Sequence, residues 1–514
     1  MGVDLVLKNA RVLTVDRQQP VAGTVAVDGE HIFAVGDAED AELFVTPDTK
    51  TIDCQGLTLV PGFNDAHCHI FSFVRNQLSI DLSAPDIRSI EDIKAAVQKR
   101  AAATPPGQWI VGANYSDFYL AEKRHPTRWD LDQVSPVNPV VLAHRSLHAG
   151  VLNSRALELA GIGMATEEPP GGRIERDLGT GEPNGIVFEM LGYIRYRIMP
   201  PLSEAELAEG IALANREYLS LGITSLQDAT VTNEVKRWEI YRRYQADGRL
   251  KSRIYLMTGI EHLARFNEAG LGFRAGDDHL RRGGLKVVLG EATGRLYPSQ
   301  ADLDRYVLDC HLAGTPVAIH AVEPSTVAAA LDAIERAQQT APRPNVRHRL
   351  EHCAECPPEL FERVKRLGVL VATQPPFLYY SGPRYLAQLP AETIGWLYRV
   401  RSFIEAGVTV AAGSDTPVVP NNPLVGIYAA VTRQAVDGRV LAPHERVTPA
   451  QAFALYTANA AYASYDENSK GSITPGKLAD LVLLSEDPTR VPPERIKEIK
   501  VAMTMIGGEV VFQA

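Results

Sequence analysis

The sequence is short of cysteine, of basic residues relative to acidic ones, and of long apolar runs. Only five cysteines, at positions 54, 68, 310, 353 and 356, occur in 514 residues. They are few, odd in number and set mostly in stretches that read as strands or helices, which excludes a disulfide-stapled scaffold and suits reduced thiols in a cytoplasm. Cys353 and Cys356 make a C-x-x-C, but with no second pair they cannot build a cysteine-rich zinc site. Lys and Arg number 52 against 62 Asp and Glu, a formal charge of −10. Neither nucleic acid nor an anionic membrane is an expected partner of such a surface, whereas a neutral or cationic small molecule is compatible. No apolar run reaches the roughly 18 residues of a membrane span. The opening residues Met1 to Ala10 lack a basic start followed by an apolar core, so no signal peptide is expected and the expected location is cytoplasmic.

What is present is an ordinary globular composition, 45% apolar and 22% charged. The length exceeds one ordinary core and suggests two or three domains, unless an α/β barrel absorbs most of it. Residues 3 to 60 carry short β-type runs punctuated by glycine, and the C-terminus repeats the style in Leu481–Leu484, Val501–Met505 and Val510–Phe512. Neither piece is large enough to bury a core alone. The expectation is one discontinuous β-sandwich domain built from residues 1–62 and 469–514. Between them, eight short apolar strands alternate with helical stretches: 63–69, 223–228, 253–257, 285–289, 316–320, 348–352, 369–374 and 408–415. This spacing predicts a parallel (β/α)8 barrel of TIM type over 63–468, closed by a helix that starts at Thr448-Pro449 and runs to Ala463. The interval at about 71–222 is too long for a single connection. It reads as an insertion with strands at 109–111 and 139–144 and an exposed hairpin between Pro169 and Pro183, placed where barrel enzymes choose their substrates.

The chemistry-bearing residues fall at strand ends. His67 and His69, in Pro-Gly-Phe-Asn-Asp-Ala-His-Cys-His, share one face of an extended strand and present two imidazoles to one point, half of a coordination shell for zinc or another divalent metal. Lys286 sits inside what reads as a buried strand, which is costly unless its amine is neutral or converted; a desolvated lysine beside metal reacts with carbon dioxide to give a carbamate that bridges metals as a carboxylate does. The bland alternative is a lysine that snorkels to the barrel mouth. His320 ends the fifth strand, His352 the sixth and Asp415 the eighth. Each alone reads as a structural histidine or a turn cap, but six ligand-type residues on one rim are hard to explain as packing.

This pattern resembles the amidohydrolase superfamily, in particular its amidohydrolase-3 branch of YtcJ-like proteins. The likeness runs over nearly the whole chain, from Lys8-Asn9-Ala10-Arg11 and residues 61–69, through His148-Ala149 with Asn153-Ser154-Arg155-Ala156-Leu157 and Gly222-Ile223-Thr224-Ser225. It continues in Gln374-Pro375, Gly413-Ser414-Asp415-Thr416-Pro417 and the tail phrase 471–481. The resemblance implies a metal-dependent hydrolase with His67, His69, His320 and His352 as ligands, Lys286 as a carboxylated bridge, and Asp415 as ligand and general base. One departure stands out. Where relatives carry Gly-Asp soon after the fifth-strand histidine, this chain has Ala321-Val322-Glu323-Pro324, giving an H-x-x-E like that of mononuclear deaminases of the same superfamily.

The first expectation is therefore hydrolysis of an amide-type C–N bond by metal-bound hydroxide, one or two ions lowering the pKa of water toward roughly 7 and polarising the carbonyl. Asp415 would take the proton of that water and pass it to the leaving nitrogen. His148, Tyr115 and Arg145 of the insertion are candidate substrate contacts, with structural hydrogen bonding as the alternative. A second expectation is a one-metal deaminase with Glu323 as proton shuttle, against which Lys286 argues; a third is a barrel that has lost catalysis and serves in binding. The partner is a small-molecule substrate whose identity the sequence does not give. Nothing in it specifies an oligomer; a homodimer is the default expectation.

Overall fold

The computed structural model describes residues 3–83, 86–291 and 295–514. Its central feature is an eight-stranded parallel sheet in sequence order: β1 (Phe63–Cys68), β2 (Ile223–Asp228), β3 (Arg253–Thr258), β4 (Leu280–Val288), β5 (Val317–Ala321), β6 (Arg349–His352), β7 (Leu370–Thr373) and β8 (Val410–Ala412). The sheet comes round on itself just past β8, where the Asp415 amide donates to the His67 carbonyl at 2.7 Å and the His69 amide to that of Thr416 at 2.9 Å. Gly413 makes this approach possible: a Cβ there would lie 2.4 Å from the His67 amide nitrogen. All eight strands expected from the sequence are present.

Two strand boundaries differ from expectation. β4 begins five residues earlier than the expected Leu285, because Arg281 and Arg282 still pair with Tyr255 and Leu256 of β3. Arg282 is fully buried, lies 5.3 Å over the Phe266 ring and donates to the Gly284 carbonyl. β8 is only three residues long, since the chain after it leaves β7 to join the end of β1. The closing helix is also two pieces, Pro449–Leu455 and Ala458–Ala463. Its start follows the sequence signal: Thr448 accepts from the Gln451 amide, with Pro449 at the first helical position.

The chain ends do build a β-rich region together. A six-stranded sheet places Thr58–Pro61 between Arg11–Leu13 and Leu481–Leu484, with Val501–Ile506 and Glu509–Gln513 following outward. A four-stranded sheet of residues 5–53 accompanies it. Leu5, Leu7, Val12, Leu59, Leu481 and Met503 share one core. These sheets are mixed rather than wholly antiparallel, since Leu5–Lys8 runs parallel to Lys50–Asp53 and Arg11–Leu13 parallel to Thr58–Pro61. Arg253 of β3 ties this region to the barrel: its fully buried guanidinium donates to both Asp480 oxygens at 2.7 and 3.0 Å.

By contact density the chain forms two units, the first being 1–70, 214–288 and 300–514, which holds the barrel and the terminal sheets. The second, 71–213 with 289–299, has its own six-stranded sheet that includes the parallel pair Ile110–Tyr115 and Val140–His144 and the antiparallel pair Arg173–Arg176 and Pro183–Phe188. Among the described residues no helix is long and apolar enough to cross a membrane, and all five cysteines are buried and unpaired.

At the start of β6, His348 is a buried hydrogen-bonding hub. Its Nδ1 accepts from the Val317 amide at 3.2 Å, and its Nε2 lies 2.8 Å from His311 Nδ1. Burial pushes its pKa down to about 3, with His311 adding to the effect. The folded pKa is thus below the unfolded one, so the unfolded chain binds the extra proton between them, and stability falls as pH drops from about 6.5 toward 3. The unfolding free energy from urea titrations should decline over this window by about 1.4 kcal/mol per pH unit from this group, and His348→Asn should remove that share of the slope.

Candidate functional site

The strand ends of the barrel bring three side chains to one point. One ligand-type atom from each of His67, His69 and Asp415 lies within 4.8 Å of the other two. Asp415 Oδ1 is 3.0 Å from His69 Nε2 and 3.5 Å from His67 Nε2. The His352 ring centroid is 4.9 Å from that of His67, and the His320 ring is 4.4 Å from that of His352. Both His352 and Asp415 have left-handed backbones, at φ of 69° and 59°. Non-glycine residues held this way are strained, and such strain persists where the surroundings over-determine the position.

The other ring nitrogens are already committed, which fixes which atom of each histidine faces inward. His67 Nδ1 donates to Glu351, His69 Nδ1 meets Thr230 Oγ1 at 3.0 Å, and His352 Nδ1 donates to Gln374 Oε1 at 2.7 Å. The Nε2 lone pairs of His67 and His69 then point at the space beside Asp415, the arrangement by which outer partners orient metal-binding imidazoles. Glu351 is held in turn by Arg349, whose Nη2 is 2.9 Å from Oε2, while the remaining guanidinium nitrogen reaches Gln227 Oε1 at 2.6 Å. Asp65 does a similar service for Asp415, accepting from the Ser414 amide at 2.9 Å and its hydroxyl at 2.5 Å.

Electrostatics follow from burial. Desolvation drives the His67 and His352 pKa values well below normal, with Lys286 contributing to both, so the imidazoles are neutral ligands. Burial alone would raise the Asp415 carboxyl, but its neighbours His69, His67 and Lys286 outweigh it and hold it below the usual range. Lys286 is 2% exposed, its Nζ has no hydrogen-bond partner, and burial pulls its pKa to about 8. The His67 Nε2 is likewise buried without a hydrogen-bond partner. Neutral imidazoles, an ionised carboxylate and unsatisfied inward atoms fit a divalent cation.

Glu323 is exposed at the start of helix Pro324–Thr340, its carboxylate 3.4 Å from Thr326 Oγ1. Tyr115, Arg145 and His148 belong to the second unit. Tyr115 is fully buried in that unit's core, with its hydroxyl 2.9 Å from His125; Arg145 is half-buried; and His148 pairs with Glu189 at 2.8 Å. Sequence reasoning missed Asp65, Thr230, Arg349, Glu351 and Gln374. Alternation could have found three of them, because Asp65 is two residues from His67 and Arg349 two from Glu351, each pair sharing a face within a buried strand.

Residues 50–512 match the family described as "Amidohydrolase family". The chain is 31% identical to an N-substituted formamide deformylase of Arthrobacter pascens, over 98% of this chain and 97% of that one. It is 29% identical to the putative amidohydrolase YtcJ of Bacillus subtilis (strain 168), over 92% of each. In fold it superposes on an uncharacterized metal-dependent hydrolase from Pyrococcus horikoshii with a TM-score of 0.76 at 23% identity, covering 95% of this chain and 99% of the other.

Two substitutions separate positioning from charge balance. Glu351→Gln frees His67 and strands the Arg349 charge, so it should cost about 3–5 kcal/mol in denaturant unfolding. Gln374→Leu leaves the buried His352 N–H unpaired without stranding a charge and should cost less, about 1–3 kcal/mol. Both should weaken zinc binding about 10- to 100-fold in chelator competition.

Proposed function

We propose that this chain, which belongs to the amidohydrolase family, hydrolyses the C–N bond of N-acyl or N-formyl amines at the rim formed by His67, His69 and Asp415. The observation that carries this reading is the convergence of two oriented imidazoles, that of His67 kept neutral by burial, on a buried carboxylate that stays ionised. His67, His69 and Asp415 would hold a divalent ion such as zinc, with His320 and His352 completing the set. That ion supplies an acidified water and a Lewis acid for the scissile carbonyl.

The remaining work belongs to side chains. Asp415, ionised and next to His69 Nε2, accepts a proton from the attacking water and returns it to the departing nitrogen. Glu351 and Gln374 keep the imidazoles turned, so no reorganisation is needed as charge develops. Lys286 has the unpartnered, readily deprotonated amine that carbamate formation needs: Nζ bonds to the carbon of carbon dioxide, one proton leaves, and a carboxylate results. With that carboxylate the rim would take two ions, and without it one. The deaminase reading through Glu323 gains no support from that residue's exposed position.

The relative named N-substituted formamide deformylase makes N-formyl amines the first substrates to try. Formate release should be lost on chelator dialysis and restored by zinc. Asp415→Asn should lower kcat by about 10²- to 10⁴-fold. Failure of the zinc-loaded enzyme to release amine from any N-formyl or N-acyl compound would overturn the reading.

A further inference from the structure

Thr230, the residue that meets His69 Nδ1, stands on the loop after β2 rather than on a strand, so it must itself be fixed before it can fix an imidazole. The loop is tied on both sides. Toward β1, the Ala229 amide donates at 2.9 Å to the carbonyl of Cys68, the residue between His67 and His69. Toward β3, Asn233 Nδ2 donates to the Met257 carbonyl at 3.0 Å, and the Gly259 amide donates to the Val231 carbonyl at 2.9 Å. That last approach needs glycine, because a Cβ on residue 259 would lie 2.5 Å from the Val231 oxygen.

Behind the loop sits Asp228, the last residue of β2, a carboxylate fully removed from water. Burying such a group is costly unless its oxygens accept hydrogen bonds. Here Oδ1 accepts from the Thr230 amide at 3.1 Å, and Oδ2 accepts from the Tyr241 hydroxyl at 2.9 Å. Tyr241 is itself fully buried, on the helix Val235–Ala246 that follows the same loop. One oxygen therefore holds the backbone of the residue that carries the His69 partner, and the other anchors the carboxylate to a helix. The line runs from Tyr241 through Asp228 and Thr230 to His69, and it ends at Nε2, 3.0 Å from Asp415.

We infer that Asp228 is a positioning residue for the metal site, setting Thr230 so that the His69 imidazole keeps its Nε2 lone pair aimed inward. With Nε2 left for a cation, Nδ1 carries the ring hydrogen and donates it to Thr230 Oγ1. His67 has a buried carboxylate directly behind it in Glu351, whereas His69 takes its orientation from Asp228 at one remove, through a hydroxyl. This rests on the metal-dependent reading above and adds a third outer support to those of Glu351 and Gln374.

Zinc affinity in chelator competition tests it without a substrate. Thr230→Val should weaken zinc about 10- to 100-fold, and Thr230→Ser, which keeps the hydroxyl, should stay within about threefold of wild type. Asp228→Ala should weaken zinc by a factor similar to Thr230→Val. Tyr241→Phe, the mildest change, should weaken it about three- to fivefold, the worth of one hydrogen bond. The deciding comparison is the double variant: in a Thr230→Val background, Asp228→Ala should weaken zinc no further, because its effect passes through Thr230. A general destabilisation would persist in that background. Zinc affinity unchanged in Asp228→Ala, or additive losses in the double variant, overturns the inference whatever happens to Tm. If Asp228→Ala does not fold, Tyr241→Phe alone and combined with Thr230→Val makes the same comparison. A wild type that binds zinc no better than His67→Ala would overturn the metal reading itself, and this inference with it.

Discussion

A guanidinium and a carboxylate locked together inside the barrel set the terms for everything at its mouth. Arg349 and Glu351 are both almost wholly removed from water, where a lone charge would be prohibitively costly. Their pairing leaves Glu351 one acceptor for His67, and Arg349 two donors for Gln227 and the Ala66 carbonyl. Gln227 passes the network on to Asn64 and to the Ala460 carbonyl. The polar layer therefore touches β1, β2, β6 and the closing helix at once. It explains how imidazoles at strand ends can be held without relying on loops.

A second constraint is the seam where the sheet meets itself. There β8 stops short, Gly413 lets two backbones approach, and Asp65 grips Ser414 from across the seam. Asp415 is carried on the first residues beyond, in a backbone conformation that an aspartate adopts only when held. The carboxylate and the His-x-His pair are thus placed by one piece of main-chain geometry, although some 350 residues separate them in sequence.

Much of this was legible in the sequence, for identifiable reasons. The eight barrel strands announced themselves because strands buried on both faces read as compact apolar runs between helical stretches. The boundaries that differed break that rule: Arg281–Gly284 extends β4 while burying arginine, and β8, expected over 408–415, gives up pairing to reach β1. At the rim, His67, His69 and Asp415 were visible because their residue types are unusual at strand ends. Their supports were not, since Glu351 and Gln374 matter only through distances that alternation suggests but does not supply.

The pairing of the two chain ends has a bearing on how the molecule is made. Thr58–Pro61 can pair early with Arg11–Leu13 along one edge, but its other edge finds its neighbour in Leu481–Leu484, about 420 residues further on. At ribosomal speeds of about 5–20 residues per second, that edge waits some 20–80 seconds, its backbone groups open to any passing strand. The early segment is therefore the part of a nascent chain most exposed to mispairing, and it is the interval before the last 34 residues emerge in which a chaperone has most to protect.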